Sequence, residues 1–250
     1  MKTRLDVALT ELNLARSRTA AQKIIQEGAV TVNGRTFTKS SETVDTETDI
    51  IEVSENPECM KYVGRGGFKL EKAIEVFDIR LDGKCCLDIG ASTGGFTDCM
   101  LRNNADMVFA VDVGRDQLDS SLKNNPKVIS LEQLDIRKAT DEIYKPVDFI
   151  SIDVSFISLK LILPEIMRFA SDKAEGVALI KPQFENGKHR NGKNGVIRDP
   201  KLHKKITDDI CEFSEALGFY DISVIPSPIE GGDGNREFLM HFFINKQHGD

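Results

Sequence analysis

The chain of 250 residues has no apolar run near the ~20 residues that a membrane-spanning helix requires. Its first residues, Met1-Lys2-Thr3-Arg4-Leu5-Asp6, carry no apolar stretch of the secretory type. Neither a span nor export is expected, and the cytoplasm is the expected compartment. Cysteine is scarce: five residues, an odd number, stand at positions 59, 85, 86, 99 and 211 without any Cys-x-x-Cys spacing, and the four histidines are equally scattered. That pattern argues against a disulfide framework and offers no zinc-ligand spacing, so reduced thiols and no metal are expected. Cys85 and Cys86, at the start of an apolar run, read as small buried side chains. Long polar tracts, internal repeats and low-complexity segments are missing too. With 40% hydrophobic and 29% charged residues, the composition is that of an ordinary globular chain, long enough for a small module beside a larger domain.

The net charge of −7 argues mildly against a nucleic-acid partner, but its distribution argues the other way. From Met1 to Lys39 there are seven bases and three acids, whereas Ser40 to Glu58 holds seven acids and no base. Fields are screened beyond roughly 8 to 10 Å, so a segregated basic surface can bind phosphate even on an acidic protein. Leu5, Ala8, Leu9 and Leu12 recur at helical spacing, and Ser17 can cap a second helix that carries Ala21, Ile24 and Ile25 and closes at Gly28. Val30 to Phe37 then contains Asn33-Gly34 between β-prone residues, a strong hairpin signal because both tolerate positive φ. Arg4, Arg16, Arg18, Lys23 and Arg35 fall on or beside this helix-helix-hairpin unit. There they can hold an RNA backbone through phosphate contacts that position the partner without reading sequence, or they can form a merely solvated face. The acidic stretch with Asn56-Pro57 reads as a closing strand and linker. A small α+β RNA-binding domain is therefore expected over residues 1–59 and a second domain over residues 60–250.

Beyond residue 60 apolar strand candidates alternate with helical segments: Cys85 to Ile89, Met107 to Val113, Lys127 to Leu131, Val147 to Val154, Gly176 to Ile180, Tyr220 to Ile225 and Phe238 to Ile244. Seven strands separated mainly by helices imply a doubly wound α/β sheet that binds ligands at the carboxyl ends of its strands. The first strand runs into Leu87-Asp88-Ile89-Gly90-Ala91-Ser92-Thr93-Gly94-Gly95-Phe96, a glycine-rich turn that should open a helix. Ser92 stands where nicotinamide enzymes carry their second glycine, which lowers a dinucleotide reading. Asp112, ending the second strand, can accept hydrogen bonds from both hydroxyls of a ribose, and Asp135, after the third, can accept from an adenine amino group. Asp88 would face the amino-acid end of such a cofactor, directly or by organising the loop. Three acids after three successive strands suit a sulfonium-bearing zwitterion better than a pyrophosphate.

Five blocks in order carry a family likeness: Tyr62 to Leu70, Asp88 to Phe96, Asp153-Val154-Ser155-Phe156-Ile157-Ser158, Leu179 to Glu185, and Gly231 to Phe238. Over nearly its whole length the chain resembles the TlyA (haemolysin A) family, which joins an alpha-L RNA-binding domain, as in a small-subunit ribosomal protein, to an FtsJ-like methyltransferase domain. The resemblance implies a Rossmann-like fold with a seven-stranded, mostly parallel sheet that binds S-adenosylmethionine. On this reading the cofactor residues are Asp88, Gly90, Ala91, Ser92, Gly94, Gly95, Phe96, Asp112, Asp135 and Asp153. It also implies 2'-O-methylation of ribosomal RNA, cytidine being the expected nucleotide, by a tetrad that falls on Lys69, Asp153, Lys181 and Glu237. The chemistry of those residues agrees. A ribose hydroxyl is a poor nucleophile at neutral pH, and Lys181 at the end of an apolar strand is the candidate to take its proton. Asp153 and Glu237 would orient the lysines and stabilise the positive sulfonium. Glu185 to Lys205 is rich in Gly, Asn and basic residues, among them Lys188 and Arg190, and reads as a loop touching RNA; Arg65 would extend the basic track. Two other functions are weighed. A membrane-active haemolysin finds no signal, span or basic amphipathic helix to support it. A non-catalytic ribosome-binding or assembly factor is disfavoured because all four tetrad positions are filled.

Overall fold

A computed structural model of the protein describes residues 2–26, 28–54, 61–187, 195–231 and 234–245. The chain divides into two units, residues 1–62 and residues 63–250.

In the first unit, strand β1 (Lys2–Arg4) leads into helix α1 (Leu5–Glu11), followed by α2 (Arg18–Gln26). Leu5, Ala8 and Leu9 of α1 pack with Ala21, Ile24 and Ile25 of α2, as the helical spacing predicts. Leu12 departs from that stripe because α1 ends before it, leaving it 43% exposed. Ser17 Oγ accepts from the Ala20 N–H at 3.2 Å at the start of α2. The expected hairpin forms between β2 (Val30–Val32) and β3 (Arg35–Phe37), with φ of +51° at Asn33 and +75° at Gly34, the signs a tight two-residue turn demands. Strand β5 (Ile51–Val53) pairs with the other edge of β2, and β4 (Thr43–Asp45) pairs with β1. That second pairing is not legible in the sequence, since both strands are three residues long and forty residues apart.

The second unit runs α3 (Gly66–Phe77), β6 (Cys85–Ile89), α4 (Gly95–Arg102), β7 (Met107–Asp112), α5 (Ser120–Lys123), β8 (Val128–Glu132), β9 (Val147–Ile152), α6 (Leu163–Ile166), β10 (Ala170–Ile180), α7 (Pro182–Glu185), α8 (Pro200–Ala216), β11 (Phe219–Pro226) and β12 (Phe238–Asn245). Its sheet has the order β11-β12-β10-β9-β6-β7-β8, in which β12 alone runs antiparallel to its neighbours. The parallel strands are covered on both faces, so Leu87, Phe109, Val111, Ile150, Ile152 and Ile180 are all buried and their strands read as unbroken apolar runs. β10 begins six residues earlier than its apolar run suggests, because Ser171, Asp172 and Lys173 extend it as a polar, partly exposed stretch before a register shift. The chain lays β7 and β8 on one side of β6 and β9 and β10 on the other. The crevice at the carboxyl ends of β6 and β9 is the switch point where such sheets bind ligands.

Candidate active site

The turn after β6 closes on that crevice. Gly90 has φ of +84°, and a Cβ there would lie 2.4 Å from the Asp153 carbonyl oxygen, so only glycine lets the β6 turn and the β9 loop meet. Beside them opens a cavity of about 390 Å³ whose lining includes Gly90, Ser92, Asp112, Asp135 and Asp153. The Asp112 carboxylate accepts the backbone N–H groups of Ser92 and Gly114, each at 2.7 Å, which fixes it at the rim with lone pairs left over. Asp135 is gripped by Arg137, whose guanidinium holds its carboxyl below the usual range. Glu132, held down by Lys123 and by backbone N–H groups of residues 116–118, pins the loop that presents Gln117 to the same cavity.

Five of the ten cofactor candidates do not line this cavity. Asp88 is fully buried beneath the turn, where its carboxylate accepts from Thr97 Oγ1 at 2.7 Å and Ser151 Oγ at 2.9 Å. Ala91 and Phe96 are buried, Gly94 packs under Leu118 and Leu122, and Gly95 lies against the backbone of residues 64–67. These residues shape the turn. Burial raises the Asp88 carboxyl to about 6, against the two hydroxyl donors that pull it down. Since folded Asp88 keeps its proton to higher pH than the unfolded chain, its stabilising effect is whole below the ordinary value of 3.8 and is lost as pH rises through about 6. The loss amounts to roughly 3 kcal/mol at ~1.4 kcal/mol per pH unit. Unfolding Asp88→Asn and the wild type in urea at pH 4 and pH 7 is expected to show the variant gaining on the wild type at the higher pH; parallel behaviour would contradict the burial argument.

A second, polar cavity of about 270 Å³ shares Ser155 and Phe156 with the first and is further lined by Arg65, Lys69, Lys181 and Glu237. Four elements deliver the candidate tetrad: α3 carries Lys69, the end of β9 leads to Asp153, β10 ends before Lys181, and Glu237 precedes β12. They converge. Lys69 Nζ donates to Glu237 Oε2 at 2.7 Å and lies 3.8 Å from Asp153 Oδ2; Lys181 Nζ is 2.5 Å from Asp153 Oδ1. Charges thus alternate from Glu237 through Lys69 and Asp153 to Lys181. Both lysines are 8% exposed and Glu237 is 3% exposed, so each buried charge has an opposite partner. Sequence reading passed over Ser155, whose Oγ accepts from Lys181 Nζ at 2.8 Å, and Phe156, exposed at φ +64°. The quoted Asp153 block contains both, but residue type alone assigns neither a task. A groove of about 910 Å³ runs along α8 past Glu185, Lys201, Lys204 and Asp208, and none of the turn or tetrad residues lines it.

Of the RNA-binding candidates, Arg4 and Arg18 both donate to Asp6 of α1, at 2.9 and 3.0 Å, and Gln22 joins them at 2.7 Å. With Arg4 foremost, these donors hold the buried Asp6 carboxyl far below its ordinary range. The two guanidinium groups remain half exposed, so they present charge outward from a fixed anchor. Arg16 donates to the Tyr62 carbonyl oxygen, Lys23 is half-buried, and Arg35 is exposed over the Phe37 ring. Arg65 is exposed at the rim of the second cavity. Lys188 and Arg190 lie outside the described residues. Among the described residues no group of three His, Cys, Asp or Glu could hold a metal ion, and no helix is long and apolar enough to cross a membrane.

The FtsJ-like methyltransferase family matches residues 62–243, and the S4 domain family matches residues 3–51. The chain is 40% identical over 240 residues to the 16S/23S rRNA (cytidine-2'-O)-methyltransferase TlyA of Mycobacterium tuberculosis, covering 96% of this chain and 89% of that relative. It is 42% identical over 244 residues to Hemolysin A of Brachyspira hyodysenteriae, covering 96% of this chain and the whole of the relative. The structure of a haemolysin-named protein from Streptococcus thermophilus matches 98% of this chain and 89% of that one, with a TM-score of 0.75 at 40% identity. With relatives of this similarity along nearly its full length, the chain belongs to the TlyA (haemolysin A) family of FtsJ-like methyltransferases.

Proposed function

We propose that this protein transfers a methyl group from S-adenosylmethionine to a ribose 2'-hydroxyl of ribosomal RNA, at a cytidine, in the cytoplasm. The observation that carries this reading is the buried Glu237-Lys69-Asp153-Lys181 chain lying where two cavities meet. The 390 Å³ cavity fits the cofactor: Asp112 offers acceptors to ribose hydroxyls, Leu134, Ile136 and Ile157 offer apolar walls to a purine, and Asp153 offers a carboxylate to a cation. The smaller cavity, with Arg65 at its rim, suits the incoming nucleotide and its phosphate. The names of the Mycobacterium tuberculosis and Campylobacter jejuni relatives, both rRNA (cytidine-2'-O)-methyltransferases, support the substrate assignment. Residues 1–59 form the RNA-gripping domain of this reading, through Arg4, Arg16, Arg18, Lys23 and Arg35, and residues 60–250 the catalytic one.

Bound S-adenosylmethionine supplies an electrophilic methyl carbon, whose electron pair stays on sulfur as its new bond to the ribose oxygen forms. Lys181 acts after its ammonium has released a proton to water: the amine takes the proton of that hydroxyl, the O–H bond breaks and an N–H bond forms. Asp153 already stands beside the nitrogen that becomes positive, so its compensating charge needs no rearrangement. Lys69, held by Glu237, sets a positive charge 3.8 Å from the other oxygen of Asp153. Holding nucleophile and cofactor in line can contribute up to ~7 to 11 kcal/mol of barrier lowering.

Ribosomes from cells lacking this protein, incubated with it and methyl-labelled S-adenosylmethionine, are expected to yield labelled 2'-O-methylcytidine on digestion of their RNA. Label on a base, or no transfer to either ribosomal subunit, would overturn the assignment.

A further inference from the structure

We infer that Ser155 is a positioning residue that aims the Lys181 amine at the ribose hydroxyl, an inference that rests on the methyl-transfer reading of this site. The two contacts of Lys181 differ in kind. Asp153 Oδ1 is within 2.5 Å of Nζ, yet it is a buried oxygen without an aligned hydrogen bond among the described residues, so it supplies charge and little direction. Ser155 Oγ, at 2.8 Å, accepts from Nζ with hydrogen-bond geometry. A lysine amine on its flexible four-carbon stem can rotate freely, and as the neutral base it has two N–H bonds and one lone pair. With one N–H tied to Ser155 and the positive edge of the other drawn to Asp153, the lone pair has a single remaining direction. Both Ser155 and Lys181 line the smaller cavity, where the acceptor nucleotide belongs.

The loop that carries Ser155 is itself restrained. The two segments Asp153 to Leu159 and Lys181 to Glu185 are tied at one end by Lys181 and Ser155. At the other end the half-buried Glu185 carboxylate accepts from Ser158 Oγ at 2.5 Å and from the Leu159 N–H at 2.8 Å. Between the ties Phe156 adopts φ +64°, a conformation that a bulky side chain keeps only where its surroundings enforce it. A serine hydroxyl at the end of a loop so fixed has one place to be, which is what aiming a lysine requires.

Ser155→Ala and Ser155→Thr separate aiming from folding. Steady-state methylation of ribosomes lacking the modification, calorimetry with S-adenosylmethionine and thermal unfolding are measured on both variants and the wild type. The loss of one hydrogen bond to a group that becomes charged corresponds to roughly ten- to hundredfold. Ser155→Ala is therefore expected to lose kcat by that factor, with unfolding temperature nearly unchanged and with KM and cofactor affinity moved by only a few fold, since Ser155 contributes one wall residue to each cavity; Ser155→Thr, which keeps the hydroxyl, is expected to recover kcat to within a few fold. Wild-type kcat in Ser155→Ala, a loss equal in KM, or a threonine variant as slow as the alanine one would overturn the inference. If the wild type itself transfers no methyl to ribose, the functional reading fails; if it does and Ser155→Ala matches it, only the role of Ser155 fails.

Discussion

Lys181→Ala is expected to lower kcat for ribose methylation by roughly 10²- to 10⁴-fold, the range a positioned general base contributes, and to leave S-adenosylmethionine affinity within a few fold. Lys181 lines the smaller cavity and is not part of the larger one, so its removal leaves the proposed cofactor contacts of Asp112 and Asp135 in place. Its loss also leaves no isolated buried charge, because Asp153 retains Lys69 at 3.8 Å and is itself 19% exposed. Lys69→Ala is a less clean probe: it strips the counter-charge from Glu237, 3% exposed, and removal of one partner from such a pair costs about 3 to 5 kcal/mol of stability. Lys181→Arg provides the sharper contrast. Arginine keeps the positive charge beside Asp153 but does not give up its proton near neutral pH, so it is expected to be as inactive as alanine. Single-turnover transfer of labelled methyl at saturating cofactor measures this step directly, and an active Lys181→Arg would show that Lys181 serves as a charge and not as a base.

The parts of this site that could be read from sequence are those in which local chemistry and chain neighbourhood coincide. β6, β7 and β9 are buried on both faces, so their apolar runs match the strands to within two residues, and the acids that follow them fall at the carboxyl edge of the sheet. Facing is a different matter. Asp88 lies one residue before the end of β6 and is buried, whereas Asp112 ends β7 and lines the cavity; Asp88 pairs with Ala110 and so has the same parity as Asp112, and the difference is set by Asp112 standing two residues nearer the carboxyl edge. The pairing of Lys69 with Glu237 spans 168 positions, and no spacing rule reaches it; it was accessible only through the order of the family blocks. The contact of Ser155 with Lys181 is nearer to legible, since both stand just beyond the ends of adjacent parallel strands, β9 and β10. The capture of Arg4 and Arg18 by Asp6 was not, because an acid in the first turn of α1 reads equally well as a favourable charge at a helix start.

Glu175→Ala is expected to destabilise the protein by about 3 to 5 kcal/mol, a large share of the ~5 to 15 kcal/mol by which domains are commonly stable. Glu175 is 8% exposed in β10 and meets two cations or donors: Lys84 Nζ at 2.8 Å and His241 Nε2 at 3.0 Å, with His241 stacked on Phe77 at 4.7 Å. Without the carboxylate, the buried His241 and the Lys84 amine, whose side chain is 26% exposed, lose their acceptor. Burial by itself would raise the Glu175 carboxyl, but hydrogen bonds from His241 and Lys84 outweigh it and the group ends below its ordinary value. A carboxyl depressed in the folded state contributes stability that is present above its unfolded value, ~4.3, and is lost as pH falls toward the folded one. The gap between wild type and Glu175→Gln should therefore be widest near neutrality and shrink in acid. In register, Glu175 is level with Phe149 and Cys86, at the end of the sheet remote from Gly90 and Asp153. S-adenosylmethionine affinity is accordingly expected to be unchanged in whichever variants remain folded. Urea unfolding at pH 7.5 and pH 4 measures both effects, and a loss under about 1 kcal/mol in Glu175→Ala, the scale of an exposed ion pair, would show that water reaches this cluster after all.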